Sequence, residues 1–168
     1  MENMKSILVV CGGNTCRSSM AKIILGQMLK AKGLEKQFNL YSAAYNRADG
    51  PTAHPNSQQV IKELYGLDLL ASHVPKKLTK TMVDETDLIL VMEDYMKADL
   101  PPNKVIVLGI ASPHGPDIQK YRKCAAEIQQ SFLNNWSKIV GLAPSPQSSV
   151  SQQSATASKV GSTEFSKD

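Results

Sequence analysis

The chain has 168 residues, enough for one α/β domain with a proper core and too few for two. Its 19 Lys and Arg against 15 Asp and Glu leave a net charge of +4, mild and without the dense basic block of a nucleic-acid binder, so no nucleic-acid partner is expected. No apolar run approaches the roughly 20 residues of a membrane helix, and the N-terminal run at residues 7–10 is too short for a signal-peptide core. A cytoplasmic protein with no membrane partner is expected.

Residues 7–10, Ile-Leu-Val-Val, predict a buried strand, being short, β-branched and uninterrupted. From Met20 to Lys32 apolar residues recur at helical spacing through Ile23, Ile24, Leu25, Met28 and Leu29. A second strand is expected over 37–43, with Phe38, Leu40 and Ser42 on one face, followed by a loop over 44–54 rich in Gly, Pro, Asp and Asn. Residues 55–64 predict a helix stopped by Gly66, and Thr79 an N-cap for another. The apolar run 88–92 reads as a central strand, 93–100 as a short helix or turn ended by Pro101-Pro102, 105–108 as a fourth strand and 118–140 as one long helix. Alternating strands and helices argue a parallel sheet, with the ligand at the carboxyl ends of the strands. The expected domain spans 1–142. Residues 143–168 are dominated by Ser and Gln and carry too little apolar surface to offset their ordering entropy, so that tail is expected to be disordered.

The chemistry is concentrated between the first strand and the first helix, in Cys11-Gly12-Gly13-Asn14-Thr15-Cys16-Arg17-Ser18-Ser19. A loop so placed points its backbone N–H groups, reinforced by the helix N-terminus, at an anion above it. Gly12 and Gly13 allow a tight curl, and Asn14 tolerates a left-handed conformation. Such a cradle favours a thiolate, which makes Cys11 the candidate nucleophile. Arg17 can hold two phosphoryl oxygens through its planar fork, and the Ser18 hydroxyl can donate to the thiolate as it departs from a cysteinyl phosphate. Gly12, Gly13, Asn14, Thr15, Cys16 and Arg17 form the candidate phosphate site. The three cysteines, Cys11, Cys16 and Cys124, show neither disulfide-framework nor zinc spacing, so no metal and no cofactor are expected. Cys124 falls in a helical pattern with Ile128 and Phe132, a core position.

Cys-x5-Arg-Ser, together with Tyr41-Ser42-Ala43, Ser72-His73-Val74, Leu78-Thr79 and residues 87–92 in the same order, resembles the low-molecular-weight protein tyrosine phosphatases, including their bacterial arginine-phosphatase branch. The resemblance runs from about Lys5 to Gly141. It implies a doubly wound α/β fold and a two-step reaction through a phosphocysteine on a phosphorylated protein, phosphotyrosine first. It also implies that Ser42 and His73 support the loop beneath Asn14, that Glu93 pairs with His73, and that Cys11 and Cys16 can form a protective disulfide. Tyr45, in the 44–54 loop, reads either as a pocket-wall residue flanking an entering substrate or as an exposed loop tyrosine. Thr15 resembles the arginine branch, where a bulky aliphatic residue is replaced by threonine.

The resemblance fails at one important place. The family's general acid is an aspartate in an Asp-Pro pair after the fourth strand, and this chain has Ser112-Pro113. Serine has no useful acidity near neutral pH, and losing a positioned acid costs about 10²–10⁴-fold in rate. His114, otherwise a pocket-wall residue, and Asp117, otherwise a helix N-cap, are the substitute candidates. Ser19 replaces a proline, which is expected to soften the loop slightly. Lys76, Lys77 and Lys80 read as a solvated face. Two alternatives to a tyrosine phosphatase follow, an arginine phosphatase and a slow or non-enzymatic phosphate binder. Arsenate reduction on this fold needs two more cysteines on a mobile segment, and only Cys124 lies beyond the loop.

Overall fold

The computed structural model describes residues 4–142, so the Ser- and Gln-rich segment 143–168 lies outside the described residues. Four parallel strands, β1 (Lys5–Cys11), β2 (Phe38–Ala44), β3 (Leu88–Val91) and β4 (Val105–Val107), form one sheet in the order β2-β1-β3-β4. The order reverses between β1 and β3, and a crevice opens outside the carboxyl ends of strands at such a switch point. Ile7 pairs with Leu40 on one side and Leu88 on the other, so β1 is central and its four apolar residues are buried from both faces.

The helices are α1 (Arg17–Ala31), α2 (Pro55–Tyr65), α3 (Lys80–Glu85), α4 (Ile118–Asn134) and α5 (Trp136–Val140). Helix α1 buries Met20, Ala21, Ile24, Leu25 and Leu29 against β1, β2 and α4, each larger side chain contributing about 1.5–3 kcal/mol by leaving water. Its first turn, Arg17-Ser18-Ser19, is also buried, so the helix begins three residues earlier than apolar periodicity predicts. The bidentate pair of Arg122 with Glu63 (2.9 and 2.7 Å) ties α4 to α2 and holds the Glu63 carboxyl down at about 2. Gly66 ends α2 at φ 75°, in the left-handed region that favours glycine.

Sequence periodicity predicts one helix over 118–140, and two are found. The Asn135 side-chain amide donates to the Ser131 carbonyl oxygen at 2.8 Å, competing with the helical ladder and turning the chain into α5. Cys124 is buried in α4, and burial pushes its thiol up to about 12. No described helix is long and apolar enough to cross a membrane.

Candidate active site

Helix N-termini in this molecule are handled in two ways. Helices α2, α3 and α4 each start at a side chain that accepts from their first turn: His54 from the Asn56 N–H, Thr79 from Met82 and Asp117 from Gln119. At α1 the N-cap position is Cys16, which makes no such bond. The first-turn N–H groups of α1 are thereby left for another acceptor.

The loop between β1 and α1 is turned inside out around the same point. Its carbonyls face outward and each finds a donor. Cys11 O accepts from Tyr45 N–H (2.7 Å), Gly12 O from Asn46 N–H (3.1 Å) and Gly13 O from Asp49 N–H (3.1 Å). Asn14 O accepts from His73 Nε2 (2.7 Å), Thr15 O from His54 N–H (3.0 Å) and Cys16 O from Met20 N–H (3.1 Å). The N–H groups therefore point inward. Those of Asn14 and Ser18 lie 3.3 Å from Cys11 Sγ, and those of Gly13, Thr15, Cys16 and Arg17 meet no acceptor among the described residues. A ring of convergent N–H groups around one sulfur is a site for a tetrahedral anion.

Asn14 holds the ring in place. It is the one non-glycine residue among those described with positive φ, 59°, and its buried side chain bridges two neighbours: Nδ2 donates to Ser18 Oγ (2.7 Å) and Oδ1 accepts from Lys76 N–H (3.0 Å). Because Ser18 Oγ accepts from Asn14, its own hydrogen is free to donate to Cys11 Sγ, 3.1 Å away. Gly12 and Gly13 do not serve through positive φ. A Cβ at Gly13 would lie 2.8 Å from Asp49 Cβ, and one at Gly12 3.2 Å from Asn46 Nδ2. Both glycines exist because the 44–54 loop crosses directly above them, a close approach rather than a tight curl.

Arg17 is 5% exposed and anchored by one nitrogen only. Its Nη1 donates to Glu93 Oε1 (2.8 Å), just after β3, and to Ile110 O (2.7 Å), just after β4. Its Nη2 lies over Gly12, facing a cleft of about 590 Å³ lined also by Asn46, Arg47, Asp49, Tyr95, Ser112 and His114. One edge of the guanidinium is thus fixed by protein while the other is presented to a ligand.

The family model of the low molecular weight phosphotyrosine protein phosphatases matches residues 6–141. The chain belongs to this family. It is 36% identical to the probable low molecular weight protein-tyrosine-phosphatase EpsP of Ralstonia nicotianae over 79% of this chain and 94% of that one. It is 26% identical to a protein-arginine-phosphatase of Bacillus subtilis over 74% and 89% of the two chains. The crystal structure of a low molecular weight protein tyrosine phosphatase from T. tengcongensis superposes with a TM-score of 0.71 at 29% identity, over 80% of this chain and 99% of that one. This phosphatase is accordingly a cysteine-dependent enzyme, and its α/β fold is the family's.

Several expected placements are corrected by the geometry. Glu93 pairs with Arg17, not His73, because it leaves β3 beside the guanidinium. Ser42 is buried on β2 but makes no side-chain hydrogen bond among the described residues, so the support beneath Asn14 comes from His73 and the Lys76 backbone. Tyr45 stands behind the cleft wall. Its ring meets Tyr95 edge-on (5.6 Å, 87°), and Tyr95 is the aromatic that lines the cleft. Asp117 caps α4 through Gln119 N–H (2.9 Å) and does not line the cleft, whereas Ser112 and His114 do. The Ser19 hydroxyl lies 2.9 Å from both the Thr15 and Cys16 carbonyl oxygens, bracing the turn that a proline would have stiffened. Lys76, Lys77 and Lys80 are exposed as expected, with Lys80 also pairing with Asp84 and Lys77 Nζ donating to Tyr45 O (both about 3 Å).

Two titrating neighbours are set by burial. Desolvation pushes the Cys16 thiol above its ordinary value, with the Ser57 hydroxyl opposing, so Cys16 stays a thiol beside the nucleophile. His73 is pushed below its ordinary value by burial, with the bond to Asn14 opposing and Lys22 and Lys76 adding. In its neutral form His73 donates to Asn14 O with its hydrogen on Nε2. Asn46, Arg47, Asp49 and Tyr95 enter the cleft without any motif announcing them. The only sequence signal is their place in, or opposite, the loop expected beside the phosphate.

Proposed function

We propose that this phosphatase hydrolyses phosphomonoesters on protein, phosphotyrosine first, through a cysteinyl phosphate on Cys11. The ring of inward N–H groups around Cys11 Sγ, held by outward-bonded carbonyls from Cys11 to Cys16, is the observation that carries this reading. In the first step the sulfur forms a bond to phosphorus and the bond to the tyrosyl oxygen breaks, that oxygen taking a proton. In the second, water attacks phosphorus, the P–S bond breaks, and phosphate leaves. The N–H ring and Arg17 stabilise the equatorial oxygens in both, and Ser18 stabilises the departing sulfur. Ser112 replaces the acid of the first step, and His114 beside it in the cleft is the substitute donor.

An arginine phosphatase is the second reading. Thr15 supports it, as do the carboxylates of Asp49 and Glu93 in the cleft, which suit a guanidinium leaving group. A phosphate-binding role without turnover is the third. Arsenate reduction lacks support, since Cys124 is buried in α4.

The deciding experiment compares phosphotyrosyl and phosphoarginyl peptides on the wild-type chain and on Cys11→Ser. The expected result is higher kcat/KM for phosphotyrosine, a loss of at least about 10⁴-fold in Cys11→Ser, and retained binding of inorganic phosphate by that variant. Faster cleavage of phosphoarginine establishes the second reading. Residual turnover by Cys11→Ser removes the phosphocysteine.

A further inference from the structure

A second recess, about 500 Å³, opens between α1, α3 and the 69–76 segment, lined by residues other than those of the catalytic cleft. Its apolar part includes Leu8, Ile23, Leu69 and Met82. Its polar part includes two ammonium groups, Lys22 from α1 and Lys76, and neither forms an ion pair among the described residues. The recess contains one carboxylate, Glu85, which also pairs with neither lysine. The remaining titratable groups facing it are His73 and Tyr41.

Two independent observations favour an anion here. Lys22 is half-buried beside a like charge, and both burial and Lys76 push its ammonium below its ordinary value. A desolvated cation next to another cation gains from a bound negative charge far more than a solvated one does. Ser42, 8% exposed, lines the same recess with a hydroxyl that bonds to no protein group among the described residues. That hydroxyl is therefore a donor open to a ligand oxygen.

We propose that this recess binds a small organic carboxylate with an apolar body, its charge between Lys22 and Lys76 and its body against Leu69 and Met82, and that occupancy is felt at the nucleophile. The connection is a short chain of hydrogen bonds. The recess wall donates to Asn14 twice, from His73 Nε2 to the carbonyl (2.7 Å) and from the Lys76 N–H to Oδ1 (3.0 Å). Asn14 donates to Ser18 Oγ (2.7 Å), which lies 3.1 Å from Cys11 Sγ. Moving Lys76 or His73 therefore re-aims the serine that assists departure of the sulfur. The effect belongs mainly to kcat, because five of the six carbonyls that shape the N–H ring, those of Cys11, Gly12, Gly13, Thr15 and Cys16, are tied by residues outside the recess.

Octanoate is the probe, titrated by calorimetry and by amide shifts on the full chain. Saturable binding is expected with Kd of about 0.1–1 mM, fitting a fragment of this size. Lys22→Met with Lys76→Met is expected to weaken it at least about tenfold, and octanol to bind at least about tenfold more weakly than octanoate, each removing the charge-assisted contacts between carboxylate and ammonium groups. Glu85→Gln, an exposed change on α3 that leaves the core untouched, is expected to tighten binding about twofold through loss of a repulsive charge. Cys11→Ser is expected to bind octanoate unchanged, which separates the recess from the catalytic cleft whatever that cleft turns over. With 4-nitrophenyl phosphate, saturating octanoate is expected to change kcat about fivefold, the low end of ordinary coupling, with KM nearly constant. Absence of saturable binding, equal affinity for octanol, competition by inorganic phosphate, or no change in kcat overturns the proposal.

Discussion

The two walls of the catalytic cleft are held in opposite ways. On the phosphate loop every carbonyl from Cys11 to Cys16 has a donor, and Asn14 and Arg17 are locked from the far side. On the facing wall the side chains of Ser112 and His114 make no hydrogen bond among the described residues, and His114 is exposed. The difference separates two parts of one reaction. Stabilising negative charge on a phosphoryl group demands dipoles that do not reorganise. Delivering a proton needs only a group of suitable acidity in reach, and on this wall the usual group is gone.

The held wall can be broken at Gly13. A methyl group there would lie 2.8 Å from Asp49 Cβ, a contact between a loop backbone and a carbon close to another backbone, which no side-chain rotation relieves. Gly13→Ala is expected to displace the N–H ring and lower kcat/KM for an aryl phosphate about 10²-fold, the usual consequence of misplacing a reacting atom by an ångström. Adding Asp49→Gly removes the opposing carbon and is expected to recover most of the loss. Steady-state kinetics on the two variants decide it: failure of the second change to rescue means that the loop owes its shape to something other than this crossing.

The unheld wall can be sharpened at Ser112. Ser112→Asp is expected to raise turnover of phosphotyrosine at least about tenfold, the conservative end of what a positioned acid supplies. Activated esters, whose leaving groups need no proton, are expected to change much less. His114→Ala is expected to remove residual phosphotyrosine activity while sparing activated esters. If both variants match the wild type, the proton comes from another group in the cleft, and Asp49 is the remaining carboxylate not already paired with Arg17.

The same contrast explains what could be read from the residues in advance. Strands β1 and β3 are buried on both faces, so each is an unbroken apolar run, and the parallel sheet follows from them. Cys11, Asn14, Arg17 and Ser18 act through one short segment whose spacing is itself the geometry. The partner of Arg17, by contrast, is fixed by where β3 ends relative to α1, so Glu93 cannot be assigned from spacing along the chain. Tyr95 exchanges roles with Tyr45 for the same reason, since which of two edge-on rings faces the cleft depends on loops far apart in sequence. The break at Asn135 was invisible to periodicity because it arises from one side-chain amide competing with the backbone.

The smallest expected effect concerns His73, which joins the held wall to the second recess. Its imidazole sits below its ordinary value of 6.5 in the folded state, mainly through burial. Between that lowered value and 6.5 the unfolded chain binds more protons than the folded one, so stability rises with pH across this window. The contribution is complete above 6.5 and is lost as pH falls through it, ending once the folded imidazole is protonated as well. Glu63 acts in a separate and more acidic window. Its folded value of about 2 lies below the ordinary 4.5, so the stability from its pairing with Arg122 is present above 4.5 and disappears as pH falls towards 2. Urea midpoints measured from pH 8 to pH 5 are therefore expected to decline gently below about 6.5, and His73→Gln, which retains a donor for Asn14 O, is expected to flatten that decline. A slope unchanged in His73→Gln would mean that another group carries it; because the imidazolium keeps its Nε2–H and still donates to Asn14 O, activity is expected to fall no more steeply than stability over the same range.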